Sequence, residues 1–128
     1  MNGEMYLLDT HVIIWAIENP SRLSKNATAA LHKGERVLSV ASFWEVVIKT
    51  RKGESDIGDP VRWWHRVVTD LDATVLPIRQ AHIEAVVALA EHHKDPFDRV
   101  LVAQAIAEGF TLISKDADIR RYPVMTLW

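Results

Sequence analysis

The sequence has 128 residues, of which 48% are hydrophobic and 25% charged, with no cysteine and a formal net charge of -2. This length matches one domain, so we expect a single domain over residues 1–128. The lack of cysteine excludes disulfides, thiolate zinc sites and a cysteine nucleophile. The slightly negative charge argues against a protein that binds DNA through a general excess of positive charge.

The N-terminus shows no pattern typical of a targeting segment. Its apolar run has no basic residues ahead of it and is interrupted by Asp9 and His11. The longest apolar stretch there, Val12–Ile17, is far too short to span a bilayer. We therefore expect a soluble, cytoplasmic protein with no membrane partner.

Short aliphatic runs and segments of helical period alternate along the chain. The predicted strands are Tyr6–Leu8, Arg36–Val40, Ala73–Ile78, Phe110–Ser114 and Val124–Trp128. Pro77 cannot donate a ladder hydrogen bond, so the third strand is expected near a sheet edge. The predicted helices are Val12–Ile17, one capped by Ser24 that runs to Lys33, one from Ser42, one from Asp59 and Pro60, Gln80–His92, and one from Asp95 and Pro96 to Gly109. A polar loop is expected over residues 51–59, and a turn or short helix over residues 116–122.

Several of these helix boundaries rest on specific capping signals. Asp59 followed by Pro60 has the spacing of an N-cap and a first helical residue. Ser42 and Glu45 have the spacing of a capping box, in which each side chain accepts a hydrogen bond from the other residue's amide. Gly109 is expected to end its helix in the left-handed conformation. The capping box predicts that a helix begins at Ser42.

Strands that alternate with helical segments predict an α/β fold. We expect a mostly parallel central sheet of four to five strands with helices on both faces, because each helix has an apolar side to bury. In such sheets, binding sites form beyond the carboxyl ends of the strands. Residues that directly follow strands are therefore the first candidates for a functional site.

Four acidic residues fall at this end of the predicted sheet. Asp9 directly follows the first strand, and Asp116 follows the strand over residues 110–114 by one residue. Glu45 lies in the first turn of the helix after the second strand. Asp98 lies in the first turn of the helix that leads into the fourth strand. The topology therefore predicts that all four carboxylates converge.

Each acid alone also has a purely structural interpretation. Glu45 can complete its capping box, and Asp95 and Asp98 fit N-cap and N3 positions. Asp9 can simply end a strand, and Asp116 can cap a short helix. Together, however, four converging carboxylates raise one another's pKa and destabilise the fold unless a counter-charge is present. Oxygen ligands suit Mg²⁺ or Mn²⁺, so the pattern predicts a divalent cation that activates water and orients a phosphodiester.

Other chemistries find less support. The histidines lack the i, i+4 zinc spacing with a glutamate, since His92 and His93 are adjacent, and the serines lack a nucleophile elbow. The few glycines form no phosphate-binding loop. The tryptophans are interpreted as core or interface residues. Lys49 and Arg99 are interpreted as local charge partners of the nearby acids.

Four sequence blocks are spread through nearly the whole chain. They are LLDTHVIIW at 7–15, SVASFWEVVIK at 39–49, HKDPFDRVLVAQA at 93–105 and LISKD at 112–116. In content and order they resemble the motifs of the PIN-domain family, and more closely the VapC-like toxins of bacterial toxin–antitoxin pairs. The HKDPFDR stretch is the most specific of them.

The resemblance implies a doubly wound α/β fold and RNA cleavage that depends on Mg²⁺ or Mn²⁺. By motif, Asp9, Glu45, Asp98 and Asp116 match the family's metal-binding acids. Our mechanistic hypothesis makes Asp9, Asp98 and Asp116 the metal ligands. Glu45 then either binds the metal through water or orients the attacking water.

The resemblance also implies accessory residues and partners. Asp95 is an accessory acid of the DPFDR block, and Ser114 stands where the family often has threonine, which can hold a water or a ligand. Asp118 follows the last motif and is expected to be exposed. The implied partners are an RNA substrate, a cognate antitoxin whose arginine or lysine suits a carboxylate cluster, and a second copy of the chain in a homodimer.

Three other functions stay open on the sequence alone. The chain can be a non-catalytic PIN-like module that binds basic peptides, a housekeeping PIN nuclease without an antitoxin, or a phosphatase on a similar sheet. An aspartyl-phosphate phosphatase normally has a second aspartate two residues after its nucleophile, where this chain has His11. Metal-dependent turnover separates an enzyme from a binding module, and the gene neighbourhood separates a toxin from a housekeeping nuclease.

Overall fold

The computed structural model describes residues 4–128. The strands are β1 (Met5–Leu8), β2 (Glu35–Ser39), β3 (Thr74–Leu76), β4 (Thr111–Ile113) and β5 (Thr126–Leu127). They form one sheet in the order β3-β2-β1-β4-β5, with every neighbouring pair parallel. The helices are α1 (Thr10–Glu18), α2 (Lys25–Lys33), α3 (Val40–Arg51), α4 (Pro60–Asp70), α5 (Gln80–Val87) and α6 (Pro96–Glu108), with 3₁₀ turns at Pro20–Arg22 and Ile119–Arg121. Within residues 4–128, none of these helices is long and apolar enough to cross a membrane.

The central strands bury side chains on both faces of the sheet. Leu8 and Ile113 pack into a core with α1, α2 and α4, whereas Leu7 and Leu112 pack into a second core with α6. All four side chains are fully buried. Successive residues of a strand point to opposite faces, so an uninterrupted apolar run is typical of a strand covered on both sides. The predicted α/β fold, with four to five strands and helices on both faces, is confirmed.

The strand order places a crevice at the centre of the sheet. From β1 the chain moves outward to β2 and then β3, while β4 and β5 lie on the other side of β1. The direction of winding therefore reverses between β1 and β4, and ligands of such sheets bind at this point. The amide of Asp9 donates to the carbonyl of Ile113 over 3.1 Å. Residues that follow these two strands are thus close neighbours.

Most of the predicted helix ends are confirmed, because capping is a local interaction. The Ser24 hydroxyl accepts the Ala27 amide at the start of α2, and Asp59 caps α4. Asp95 caps α6, and Gly109 ends it at φ +73°, a conformation that glycine adopts without strain.

Two helix predictions were wrong. α3 begins at Val40 instead of Ser42, because the Ser39 hydroxyl accepts the Ala41 amide over 3.0 Å and caps the helix directly after β2. Ser42 therefore lies inside the helix and forms no capping box. α5 ends at Val87 instead of His92, since the segment after it forms tertiary hydrogen bonds in place of helical ones. The last three predicted strands are also each shorter at both ends than expected.

Candidate active site and metal centre

Carboxylates from four elements meet beyond the carboxyl ends of β1 and β4. Asp9 follows β1, Asp116 follows β4, Asp98 lies in the first turn of α6, and Glu45 lies in the second turn of α3. The negative charges of Glu45 and Asp9 both raise the pKa of Asp98, and that of Asp116 raises the pKa of Asp9. The structure therefore brings together all four acids on which the sequence analysis depends.

Three of the acids open onto a cleft with a volume of about 270 Å³. Its lining combines acidic, aromatic and basic side chains. The lining residues are Asp9, His11, Trp15, Asp98, Lys115 and Asp116. Glu45 does not line this cleft and is only 2% exposed. Any action of Glu45 on a ligand in the cleft therefore runs through another group, such as a water molecule.

Asp9 is fixed at the N-terminus of α1. Its carboxylate accepts the Val12 amide over 2.9 Å, and the residue is 6% exposed. Burial raises the pKa of Asp9, although the hydrogen bonds from the Ser114 hydroxyl and the Val12 amide act in the opposite direction. The Ser114 hydroxyl also accepts the Asp116 amide over 3.0 Å. Ser114 thus links two of the acids.

Both carboxylate oxygens of Glu45 have partners in the interior. The Thr10 hydroxyl donates to Oε1 over 2.7 Å, and Lys49 Nζ donates to Oε2 over 2.6 Å. Ser42 Oγ lies 3.0 Å from the same Thr10 hydroxyl. Burial lowers the pKa of Lys49, but the hydrogen bond and negative charge of Glu45 outweigh it and raise that pKa. Lys49 and Thr10 therefore hold the Glu45 carboxylate in one buried position.

Asp98 carries a large electrostatic cost. Burial, together with the negative charges of Asp95 and Glu45, raises the pKa of Asp98 to about 7. Asp95 has a structural role at the same time, since its carboxylate accepts the Phe97 amide over 2.8 Å. Burial is the larger cause, and the surrounding negative charge adds to it.

Asp116 differs from Asp98 because several hydrogen-bond donors surround its carboxylate. Its Oδ1 accepts the Asp118 amide over 2.8 Å, and His93 Nε2 lies 2.9 Å from its Oδ2. Burial alone would raise the pKa of Asp116, but the hydrogen bonds from His93 and from the Asp118 and Ile119 amides lower it. The Asp118 side chain is 55% exposed and lies 3.8 Å from Arg121. Its exposure agrees with the expectation from sequence.

Sequence reasoning missed His93. Its Nε2 lies 2.9 Å from Asp116 and 3.1 Å from Asp98, and its Nδ1 accepts the Asp95 amide over 3.0 Å. Burial lowers the pKa of His93, but the hydrogen bond to Asp116 and the nearby negative charges outweigh it and raise that pKa. The zinc-spacing criterion could not find this residue, because its partners lie five and 23 residues away. Its place at the start of the HKDPFDR block was the available signal.

The interpretation of Arg99 as a charge partner of an acid was wrong. Its guanidinium donates to the Ala90 carbonyl over 2.9 Å and to the Tyr122 hydroxyl over 3.2 Å. The early end of α5 leaves carbonyls after Val87 without helical partners, and Arg99 satisfies one of them. Lys49 behaves as expected, since it pairs with Glu45.

The donor set fits a divalent cation. His93 Nε2 and one carboxylate oxygen each of Asp98 and Asp116 lie within 4.8 Å of one another. Carboxylate oxygens are the ligands that Mg²⁺, Mn²⁺ and Ca²⁺ prefer. The raised pKa of Asp98 is caused first by burial and then by nearby negative charge, and a bound cation would offset that charge.

The family model named PIN domain matches residues 6–125. The chain belongs to the PIN-domain family. It is 31% identical over 126 residues to Ribonuclease VapC22 of Mycobacterium tuberculosis, in a match that covers 95% of this chain and 97% of that protein. The resemblance inferred from the four sequence blocks is thus confirmed.

Solved structures agree on the fold. VapBC2 from Rickettsia felis, bound to a DNA fragment from its promoter, matches this PIN domain with a TM-score of 0.69 and 14% identity, over 96% of this chain and 97% of that chain. DNA-bound VapBC from Salmonella typhimurium matches with a TM-score of 0.67 and 16% identity, over 97% of each chain. The overall fold described above is therefore shared with these chains.

Proposed function

We propose that this PIN-domain chain is a metal-dependent endoribonuclease that hydrolyses RNA phosphodiester bonds and serves as the toxin of a toxin–antitoxin pair. The observation that carries the proposal is the convergence of Asp9, Glu45, Asp98 and Asp116 around one cleft. The relative named Ribonuclease VapC22 supports it. We take residues 1–128 as a single domain that acts on RNA in the cytoplasm.

In this proposal Asp9, Asp98 and Asp116 hold Mg²⁺ or Mn²⁺ through carboxylate oxygens. Their placement on three different elements gives a ligand set that the fold holds in position. When bound, such an ion lowers the pKa of a coordinated water and neutralises charge on the phosphodiester. The Ser114 hydroxyl hydrogen-bonds to the Asp9 carboxylate and to the Asp116 amide, and so it helps to hold these two acids next to each other.

Glu45 acts on the attacking water. Lys49 and Thr10 fix its two oxygens, so the carboxylate has one orientation. A carboxylate held in this way can orient a water and accept its proton, or hold a metal through that water. The water oxygen attacks phosphorus and an ester P–O bond breaks, and the leaving oxygen takes a proton from solvent water. One RNA fragment then ends in a phosphate and the other in a hydroxyl.

The other lining residues suit a nucleotide next to the scissile bond. Lys115 brings positive charge to the cleft, where it can contact a backbone phosphate. The rings of His11 and Trp15 lie with centroids 5.8 Å apart and offer a surface on which an RNA base can stack.

The test is cleavage of a mixed RNA pool by purified, antitoxin-free protein with Mg²⁺, with Mn²⁺ and with EDTA. The informative variant is Asp9→Asn beside Asp9→Ala. Asparagine can still accept the Val12 amide and cap α1, so it removes the charge without removing the cap. We expect metal-dependent cleavage in the natural protein and none in either variant.

Asp59→Asn is the matched control. Asp59 caps α4 as Asp9 caps α1, but it lies outside the acid cleft, and we expect its variant to cleave normally. Cleavage that persists in EDTA, or in folded Asp9→Asn, would contradict the proposed site. No cleavage by the folded natural protein on any RNA of the pool would favour the non-catalytic binding module.

The antitoxin proposal rests on chemistry and on the structural relatives. An acidic cleft suits an arginine or lysine from a protein partner, and the matched structures include one described as a toxin-antitoxin complex from Klebsiella pneumoniae.

We also propose a homodimer through α5, where Ile83 and Val87 lie one turn apart and are 48% and 83% exposed. Light scattering on the natural protein and on Val87→Glu tests this, since the charge should yield monomers.

A further inference from the structure

His93 lies inside the acid cluster but has no role in the mechanism proposed above. Its side chain is 15% exposed, and its Nε2 lies 2.9 Å from Asp116 Oδ2 and 3.1 Å from Asp98 Oδ2. Two interpretations fit these distances. Either Nε2 is a nitrogen ligand that shares a metal with both aspartates, or Nε2–H is a donor that holds Asp116 beside Asp98.

The distances alone do not separate the two interpretations. In an octahedral site with bonds of about 2.0–2.1 Å, adjacent ligand atoms lie about 2.8–3.0 Å apart, which is also the length of a hydrogen bond. A ligand, however, must present a lone pair at Nε2, whereas a donor must carry a proton there. The protonation of the ring therefore decides.

The other ring nitrogen identifies the tautomer. Nδ1 accepts the Asp95 amide over 3.0 Å. An amide N–H can only donate, so Nδ1 carries the lone pair and a neutral ring carries its proton on Nε2. Metal-ligating histidines show the opposite arrangement, in which the second nitrogen donates its N–H to a carboxylate or carbonyl. The Asp95 amide is itself fixed, since Asp95 caps α6.

We propose that His93 is a positioning residue whose Nε2–H donates to Asp116 Oδ2, with Asp98 Oδ2 3.1 Å from the same nitrogen, and that it is not a metal ligand. An N–H placed between the two carboxylates offsets their repulsion and holds Asp116 beside Asp98. This role rests on the proposed function of the two aspartates. The tautomer does not, so it can be tested on protein without RNA.

The first test is long-range ¹H–¹⁵N correlation spectroscopy of the histidine rings at pH 8, first in EDTA and then with Mg²⁺ alone. We expect His93 to show the Nε2-protonated neutral tautomer in both conditions. His82 is an internal reference, because its Nδ1 also accepts a backbone amide, that of Arg79, over 3.0 Å. An Nδ1–H tautomer, a doubly protonated ring, or loss of the Nε2 proton on addition of Mg²⁺ would overturn the proposal.

The second test separates the two hydrogen bonds of the ring with a pair of variants. In His93→Gln the amide nitrogen can reach the position of Nε2 and still donate, but nothing accepts the Asp95 amide. In His93→Asn the oxygen stands near the position of Nδ1 and accepts that amide, but no donor reaches the aspartates. The pair therefore distinguishes positioning of the carboxylates from simple support of the turn.

We expect calorimetry with Mg²⁺ to show about tenfold or greater weakening in His93→Asn, while His93→Gln keeps most of the affinity. Circular dichroism checks that both variants fold. Unchanged affinity in His93→Asn, or an equal loss in both variants, would contradict the positioning role. RNA cleavage is measured separately: a natural protein that cleaves no RNA would end the proposed function, while the tautomer result would still decide the role of His93.

Discussion

Two histidines of this protein have the same local hydrogen bonds in different surroundings. His82 lies on α5 and faces α6, and His93 lies at the cleft. Each ring accepts a backbone amide at Nδ1 over 3.0 Å. Each also presents Nε2 to a carboxylate oxygen, over 3.0 Å to Glu108 and over 2.9 Å to Asp116. The His82 side chain is fully buried, whereas that of His93 is 15% exposed.

The two clusters differ in how much negative charge surrounds the ring. His82 faces Glu108 alone, while His93 faces two aspartates with further acids behind them. Burial, and then the negative charge of Asp95 and Glu45, raises the pKa of Asp98 to about 7. The same local arrangement thus stabilises the fold at one place and leaves unbalanced charge at the other. Unbalanced charge costs folding free energy, but it is what a cation site requires.

The crowded cluster consists of His93, Asp98, Asp116 and the acids behind them. Removing one of its carboxylates should give the largest effect. We expect Asp98→Asn to lower the RNA cleavage rate about 100-fold or more, because a proposed metal ligand is lost. We also expect the metal-free variant to be about 1–2 kcal/mol more stable than the natural protein at pH 8, because a crowded charge is gone. Initial rates and urea unfolding in EDTA measure the two effects. Normal cleavage by this variant would remove Asp98 from the site.

Mg²⁺ should stabilise the folded protein only through the crowded cluster. Mg²⁺ at about 100 times its dissociation constant should raise the free energy of unfolding by about 2.7 kcal/mol, since it binds the folded chain. We expect this gain to disappear in Asp98→Asn and to persist in Glu108→Gln. Thermal unfolding with and without Mg²⁺ measures it. An equal gain in both variants would mean that the metal binds elsewhere.

The pH dependence of stability should also come from the crowded cluster. The folded pKa of Asp98 is raised from 3.8 to about 7, so the folded state binds this proton more tightly than the unfolded chain does. Its stabilising contribution is complete below pH 4 and is lost as the pH rises to 7, by up to about 1.4 kcal/mol per pH unit. The raised pKa of His93 acts in the same direction, and the lowered pKa of Asp116 acts only below this window.

Urea unfolding of metal-free protein at pH 5, 6, 7 and 8 measures this slope. We expect stability to fall with pH in the natural protein and the slope to be clearly smaller in Asp98→Asn. A slope that is the same in both proteins would show that Asp98 is not the group that titrates.

The isolated pair of His82 and Glu108 should give the smallest effect. Glu108→Gln keeps an acceptor for His82 Nε2–H but removes the charge, so we expect a loss of about 0.5–1.5 kcal/mol in stability and normal RNA cleavage. Urea unfolding and initial rates measure both. A tenfold drop in cleavage would show that the two clusters are coupled through α6, which carries both Asp98 and Glu108.

Local interactions explain which parts of the structure could be predicted. Asp59 and Asp95 were placed at helix starts because an N-cap depends only on residues within one turn. The same reasoning failed at Ser42, where Ser39 offers an equally good cap, and the end of β2 favours Ser39. Arg99 was assigned to a nearby acid because a sequence does not reveal which backbone carbonyls will lie close in the folded chain. Its actual partner is the carbonyl of Ala90.

The sequence by itself determined the alternation of strands and helices and the positions of acids just after the strands, because side-chain period and capping act over a few residues. It also carried the motifs of the PIN-domain family. Only the tertiary structure decided that Asp98 is crowded while Asp116 is well supplied with donors, and that His93 joins them. These properties depend on burial and on distances between residues far apart in the chain, such as Asp98 and Asp9, which are 89 positions apart. Such electrostatic effects have no local sequence signature.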